Sequence, residues 1–274
     1  MDDDRIVCAL TIAGSDPGGG AGIQADLKTF AAHGVHGLSA IAALTAQNMR
    51  GVRAVHVPPA EFLREQIEAC FDDFAVGAVK VGMLANAAAV HAVADAIERH
   101  RPAHVVVDPV LVATSGARLL DADALDVLRA RLLPLASLLT PNIPEAEALL
   151  GHRLADDAAA DAALAALLAL GPRAVLLKGG HLPGGGTMTD RYGEGAVRMN
   201  FRHPRLSIHA HGTGCTLAAA VAANLCRGAT PLKACAAATD YVHGALIHAY
   251  RPGDPGTAVL DHFWRYHCAP TDNH

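Results

Sequence analysis

Six short runs of this chain are largely apolar and end at polar or glycine residues: 6–13, 38–44, 76–81, 104–110 with Asp108 at its carboxyl edge, 135–139 and 174–177. A strand without a polar face is buried on both sides, as in a parallel sheet covered by helices. The segments between the runs have helical character: 23–33, ended by Gly34, then 60–71 after Pro58-Pro59, 86–100, 121–133 and the Ala/Asp tract 154–170. The alternation predicts a doubly wound α/β fold, with a central, mostly parallel β-sheet flanked by helices on both faces. Region 182–208, with Gly184-Gly185-Gly186 and alternating polar and apolar residues, predicts small antiparallel edge strands and a hairpin. Two further helices are expected near 231–249 and 258–266. With no linker, repeat or composition break in 274 residues, a single domain over 1–274 is expected.

Composition removes several functional classes. The net charge is -5 and the lysines and arginines are scattered, so there is no basic stripe for nucleic acid and no basic amphipathic face for a membrane. The acidic start Met1-Asp2-Asp3-Asp4-Arg5 has the wrong charge for a leader, and no apolar run approaches the ~20 residues of a membrane helix. A cytoplasmic location is expected. The six cysteines form no Cys-x-x-Cys pair, and the sixteen histidines show no ligand spacing, so no zinc site or disulfide framework is indicated.

The chemistry gathers where the apolar runs end, at the carboxyl edge of the sheet. The first run leads into Gly14-Ser15-Asp16-Pro17-Gly18-Gly19-Gly20-Ala21-Gly22, which is not a P-loop because no Lys-Ser/Thr follows the last glycine. Residues 20–25 satisfy G-x-G-x-x-A, yet they lie six residues beyond the run and lack an acidic partner about 20 residues on. Asp26, one turn into the following helix, would repel a pyrophosphate and suits a hydroxyl or amino group, so the loop reads as the floor of a small-molecule site. Gln47, in Thr45-Ala46-Gln47-Asn48, offers a paired donor and acceptor for the edge of an aminopyrimidine. Asp108 sits at the carboxyl edge of the fourth run, and the loop 113–116 can cover a ligand. Lys178 ends the sixth run within reach of nucleotide phosphates. Asn142 and Glu145, three apart at a strand end, can hold waters of a magnesium ion, while Glu147 reads as a dipole-stabilising carboxylate.

His211-Gly212-Thr213-Gly214-Cys215-Thr216 opens the small-residue helix that runs on through Leu217-Ala218-Ala219-Ala220-Val221-Ala222-Ala223. Unpaired N–H groups at a helix start, unscreened by side chains at Gly212 and Gly214, make an anion hole in which a phosphoryl group can sit. Cys215 in the first turn is expected to have a lowered thiol pKa and to accept a proton.

Together, 13–16 with 18–30, then 44–48, 80–84, 108–110, 140–146, 178–181 and 211–216 resemble, in order over nearly the whole chain, the hydroxymethylpyrimidine/phosphomethylpyrimidine kinases of thiamine biosynthesis, in the ribokinase-like superfamily. The resemblance implies ATP as phosphoryl donor with Mg2+, two successive transfers, and a homodimer. It implies that Gln47 binds the pyrimidine with Gly14, Asp26, Thr45, Met83 and Val110 around it. Gly212, Thr213 and Gly214 would form the anion hole, and Cys215 would replace the aspartate base of the sugar kinases. Asn142 and Glu145 match the magnesium element, and Asp108 and Lys178 fall near the phosphates. Two departures stand out: His209-Ala210 replaces the usual Asn-Thr, and Thr114 stands where lysine is common. A pyridoxal kinase on the same fold is the alternative reading, followed by a nicotinamide-dependent oxidoreductase using 20–25 and a non-catalytic binding protein.

Overall fold

The computed structural model describes residues 7–112, 119–182, 185–253 and 256–267. The first run forms β1 (Cys8–Ser15), followed by α1 (Gly22–Ala32), β2 (His36–Asn48), β3 (Gly51–His56), α2 (Ala60–Asp73), β4 (Val76–Val81), α3 (Ala87–His100) and β5 (His104–Val107). Then come α4 (Ala122–Val127), β6 (Leu138–Leu139), α5 (Ile143–Leu150), α6 (Asp157–Leu168), β7 (Ala174–Leu177), β8 (Thr187–Glu194) and β9 (Val197–Pro204). The chain closes with β10 (Ala210–His211), α7 (Thr213–Cys226), α8 (Pro231–Ile247), β11 (Ala258–Val259) and α9 (Trp264–His267).

Among the described residues one nine-stranded sheet runs in the order β3-β2-β1-β4-β5-β6-β7-β8-β9. Its middle, β2 to β7, is parallel, while β3, β8 and β9 pair antiparallel at the two edges. The expected doubly wound sheet with an antiparallel hairpin is what forms. Residues alternate between the faces, as strand geometry requires. Leu10, Ile12, Val79, Val81, Val105 and Val107 pack with α2, α3, α5 and α6. Ala9, Ala78, Val106 and Leu138 face the other way, toward α1, α7 and α8.

That second layer is built from small residues, and α7 answers with its own: Ala218, Ala219, Ala220, Val221, Ala222 and Ala223 are all fully buried. Small against small lets the helix axis approach the sheet closely. The helix start is thereby carried to the carboxyl ends of the central strands.

Three sequence expectations need correction. Residues 45–48 do not form a loop: β2 continues through them and turns into the edge strand β3, with a bulge between Ala46 and Gln47. The helix expected over 121–133 ends at Val127, loosens into a π turn over Leu128–Leu132 and then a 3₁₀ turn over Leu133–Leu135. Pro134 has no N–H to continue the ladder. The helix expected over 258–266 is mostly absent. Ala258 and Val259 instead pair in parallel with Ala210 and His211, and only Trp264–His267 is helical. A tertiary strand pairing has overridden local propensity there.

The tight seat of α7 makes Ala219→Leu overpacked. The variant is expected to lose about 1–3 kcal/mol of stability, read from urea denaturation midpoints at unchanged slope.

Candidate active site

A cavity of about 720 Å³ opens at the carboxyl edge of the sheet. Gly14, Thr45, Gln47, Met83 and Val110 line one part of it, Asp108, Asn142, Glu145 and Lys178 another, and Gly212, Thr213, Gly214 and Cys215 lie on its wall as well. Twelve of the sequence-selected residues sit where a single ligand set can meet them, together with Gly14 of the floor. The loop 113–116, including Thr114, lies outside the described residues.

The glycine loop owes its shape to Asp16, the first residue after β1. Its Oδ1 accepts from the Gly18 N–H (2.8 Å), and its Oδ2 accepts from the N–H groups of Gly20 (3.0 Å) and Ala21 (2.8 Å). Oδ2 also lies 3.2 Å from His211 Nε2. Burial alone would raise this carboxyl, but hydrogen bonds from His211, Gly18, Ala21 and Gln47 hold it down at about 2. Lys28 of α1 steadies the loop by donating to the Gly19 carbonyl (2.8 Å).

The loop and α7 touch through backbone. Gly212 caps α7 at a φ of 87°, and a Cβ there would fall 1.8 Å from the Gly20 carbonyl oxygen. Gly22 begins α1 at a φ of 57°, where a Cβ would fall 2.3 Å from the Gly14 carbonyl oxygen. Both positions demand glycine by conformation and by space. The first helical bond of α7 runs from the Thr216 N–H to the Gly212 carbonyl (2.9 Å). The N–H groups of Thr213, Gly214 and Cys215 therefore lie ahead of the helical ladder, at the positive end of the dipole.

Asp26 corrects the sequence reading. It is fully buried under the floor, outside the cavity lining, and its Oδ2 accepts from the Thr11 hydroxyl (2.6 Å) and the Lys80 ammonium (2.9 Å). The carboxylate does serve a hydroxyl and an amino group, but they are the protein's own. Lys80 has no exposed surface and still lines the cavity. Burial opposes its charge, yet Asp26, with Cys215 and Asp108 adding to it, raises the lysine above its ordinary value. Sequence reasoning gave Lys80 no role and did not foresee that it claims Asp26. The available signal was a lysine inside an otherwise apolar run.

Lys178 repeats the arrangement. Its ammonium lies 2.8 Å from Asp108 Oδ1 and 3.7 Å from Glu145 Oε2, and these carboxylates hold it protonated against burial. Asp108 also accepts from the Thr140 hydroxyl (3.3 Å). Asn142 and Glu145 form a capping box at the start of α5: Glu145 Oε2 accepts from the Asn142 N–H (2.7 Å) and Asn142 Oδ1 from the Glu145 N–H (2.9 Å). Burial pushes the Glu145 carboxyl up to about 7, with Lys178 pulling against it. No cluster of three metal-binding side chains exists among the described residues. A hydrated magnesium ion needs only one or two carboxylates beside substrate phosphates, and Asp108 with Glu145 meets that need. Glu147 does not stabilise the dipole; it accepts from the Leu154 N–H (2.7 Å), beyond the end of α5.

The lowered thiol expected for Cys215 is also corrected. Burial pushes it up to about 11, Lys80 draws it down, and Asp26 and Asp108 add to the rise. Thr45 spends its hydroxyl proton on the Ser15 carbonyl (2.8 Å). His209 lines the cavity directly before β10.

A family model described as phosphomethylpyrimidine kinase matches residues 16–259. The hydroxymethylpyrimidine/phosphomethylpyrimidine kinase of Rhizobium meliloti is 47% identical over 261 residues, covering 94% of this chain and 97% of its own. The thiamine biosynthesis bifunctional protein ThiED of Geobacter sulfurreducens is 49% identical over 254 residues. The match covers 92% of this chain but 51% of that protein, so the chain spans about half its length. Among solved structures, the ADP complex of Bacillus subtilis pyridoxal kinase superposes with a TM-score of 0.87 at 31% identity, covering 96% of this chain and 99% of its own.

Two outcomes follow from the buried charges. Lys80→Met leaves Asp26 uncompensated in the core and is expected to cost about 3–5 kcal/mol, whereas Lys80→Met with Asp26→Leu recovers most of it; denaturant titration separates the cases. Asp16 lies at about 2 in the folded chain against an ordinary 3.8, so its contribution is whole above pH ~4 and fades as pH falls through about 2. The stability gap between wild type and Asp16→Asn should shrink by roughly 2 kcal/mol over that range, and a gap independent of pH would refute the assignment.

Proposed function

The chain belongs to the phosphomethylpyrimidine kinase family, and we propose that it carries out two ATP-dependent phosphoryl transfers on a ribokinase-like fold. The first phosphorylates the hydroxymethyl oxygen of 4-amino-5-hydroxymethyl-2-methylpyrimidine. The second phosphorylates the resulting monophosphate, giving the diphosphate used in thiamine diphosphate biosynthesis. The observation that carries this reading is one cavity in which Gln47, Met83 and Val110 lie at one part, Lys178 and Asp108 at another, and the start of α7 with Cys215 on the wall.

Phosphoryl transfer requires alignment and neutralisation of spreading charge more than covalent help. The N–H groups of Thr213, Gly214 and Cys215 face the group in flight, and Lys178, kept cationic by its carboxylates, meets the donor phosphates. A magnesium ion, when bound, would neutralise phosphate oxygens, with Asp108, Asn142 and Glu145 as the residues that hold its water. On the acceptor side Gln47 receives the pyrimidine edge, with Gly14, Thr45, Met83 and Val110 around the ring and Asp26 acting only through Lys80.

The two transfers make different demands. In the first, the bond from the γ-phosphorus to the acceptor oxygen forms, the bond to the β-phosphate oxygen breaks, and the alcohol proton passes to Cys215 in its thiolate form, leaving the neutral thiol. In the second, the acceptor is a phosphate monoester already carrying about -1.5 to -2 charges at pH 7, so no base is needed. The homodimer and the cytoplasmic setting implied by the resemblance belong to the same proposal. Half-exposed Leu44 and Val55 on the β2–β3 hairpin offer apolar surface to a second copy, and no helix of the described residues is long and apolar enough to cross a membrane.

Pyridoxal phosphorylation is the second reading, supported by the likeness to the Bacillus subtilis enzyme. ADP release from MgATP, with hydroxymethylpyrimidine, its monophosphate and pyridoxal offered separately, decides between them. Turnover with both pyrimidines is expected, and preference for pyridoxal would overturn the assignment. Gln47→Ala should then weaken the pyrimidines more than pyridoxal, which lacks the ring amino group.

Cys215→Ala is expected to slow the first transfer by about 10²–10⁴-fold and the second far less. Since the thiol titrates at about 11, the thiolate fraction grows about tenfold per pH unit below that value. The first transfer should therefore accelerate from pH 7 to 10 while the second does not. Equal losses in both steps, or parallel pH profiles, would remove Cys215 from the base role.

A further inference from the structure

We propose that Asp16 is a positioning residue that locks the acceptor end of the cavity to the phosphoryl end, with His211 as its partner across the gap. The inference deepens the kinase reading and rests on it for the meaning of the two ends.

The carboxylate is saturated. Three backbone N–H groups of its own loop and the imidazole of His211 converge on two oxygens that have only 2% exposure between them and the rest of the residue. The Asp16 N–H is used as well, donating to Gln24 Oε1 (2.9 Å), and Gln24 in turn donates to the Ser15 hydroxyl (2.8 Å). A carboxylate only accepts, so the imidazole carries its proton on Nε2.

His211 sits 195 residues further along the chain, in β10, where it pairs with Val259. The next residue is Gly212, which caps α7 and lies against the Gly20 carbonyl. The 3.2 Å contact between Asp16 and His211 and the Gly20–Gly212 contact thus join the same two segments at adjacent points. One segment shapes the acceptor pocket, and the other presents the N–H groups of the anion hole. Neither Asp16 nor His211 has to touch the transferred group. Their effect is the distance between an acceptor oxygen and a phosphorus, and an error of about 1 Å there is worth about 10²-fold in rate.

His211 is the cleaner site to test, because Asp16→Asn also deprives three backbone N–H groups of their acceptor. In His211→Ala, kcat should fall by about 10–10²-fold in both transfers alike while KM for ATP moves less than about twofold. That pattern differs from the step-selective loss expected at Cys215. In His211→Gln the side-chain amide donates to Asp16 again, and most of the rate should return. Amide hydrogen exchange read by NMR supplies an arm that needs no turnover: exchange at Gly18, Gly20 and Ala21 should quicken in His211→Ala and recover in His211→Gln. Unchanged exchange and unchanged kcat in His211→Ala would overturn the lock. A loss that His211→Gln fails to restore, accompanied by a lower melting temperature, would reduce the pair to fold maintenance and overturn it equally. If the wild type turned over neither pyrimidine, the kinase reading would fall while the exchange comparison still decided the coupling.

Discussion

The arrangement depends on how closely one helix lies on the middle of the sheet. Ala9, Ala78 and Val106 on the strands meet a face of α7 made of alanines and Val221. Close-packed interiors transmit position faithfully, so the first turn of α7 is fixed relative to the ends of the central strands. Two polar residues share this layer. Thr11 and Lys80 lie in register on neighbouring strands, and Asp26 of α1 satisfies both. The small-residue contact and the buried ion pair are parts of one solution: the helix comes close, and the only strand cation beneath it among these residues is neutralised from the adjoining helix.

The cavity is consequently an electrostatic device assembled before any ligand arrives. Burial by itself works against the charged forms of Lys80 and Lys178. Asp26 keeps the first charged, and Asp108 with Glu145 keeps the second. The cost of these pairs falls on stability, since buried ion pairs rarely stabilise a fold relative to apolar packing. Their return is a pair of buried cations held at fixed points in the cavity wall, where Coulomb interactions are stronger than in bulk water. The N–H groups of α7 add directional donors that require no counter-charge at all.

Much of this was legible from residues alone, and the reason differs by element. Runs such as 76–81 and 174–177 declare buried strands because their apolar pattern has no period-2 relief. Glycines 212 and 214 read as an anion hole because they leave the N–H groups of a helix start unscreened, and the fold also requires Gly212 for its close contact with Gly20. Tertiary partnership was not legible. Asp26 reads as a ligand group until Lys80, 54 residues away, is seen to claim it. Asn142 and Glu145 read as magnesium holders, and the fold also uses them on each other as a helix cap, which is a local pattern that the spacing did contain. The strand β11 was missed because two residues pair with a segment nearly fifty positions earlier, and β3 because Gln47 and Asn48 look like a turn until a bulge extends the strand through them.

The raised thiol at Cys215 fits this crowded set of charges better than a lowered one would. Asp26 and Asp108 already press negative potential on the first turn of α7, and an incoming triphosphate brings more. A carboxylate at residue 215 would add a further negative charge beside Asp26 and Asp108, which a thiol does not. A thiol stays neutral while the phosphates bind and accepts a proton only as its thiolate, a stronger base than a carboxylate by several pKa units. Rarity of the reactive form is offset by its strength, as expected when basicity and protonation state trade against each other. In the proposed first transfer a base of that kind suits the alcohol acceptor, and the proposed second transfer, whose acceptor is an anion, does not need it. One side chain can then serve a site that must accept a neutral substrate and, after one turnover, its charged product.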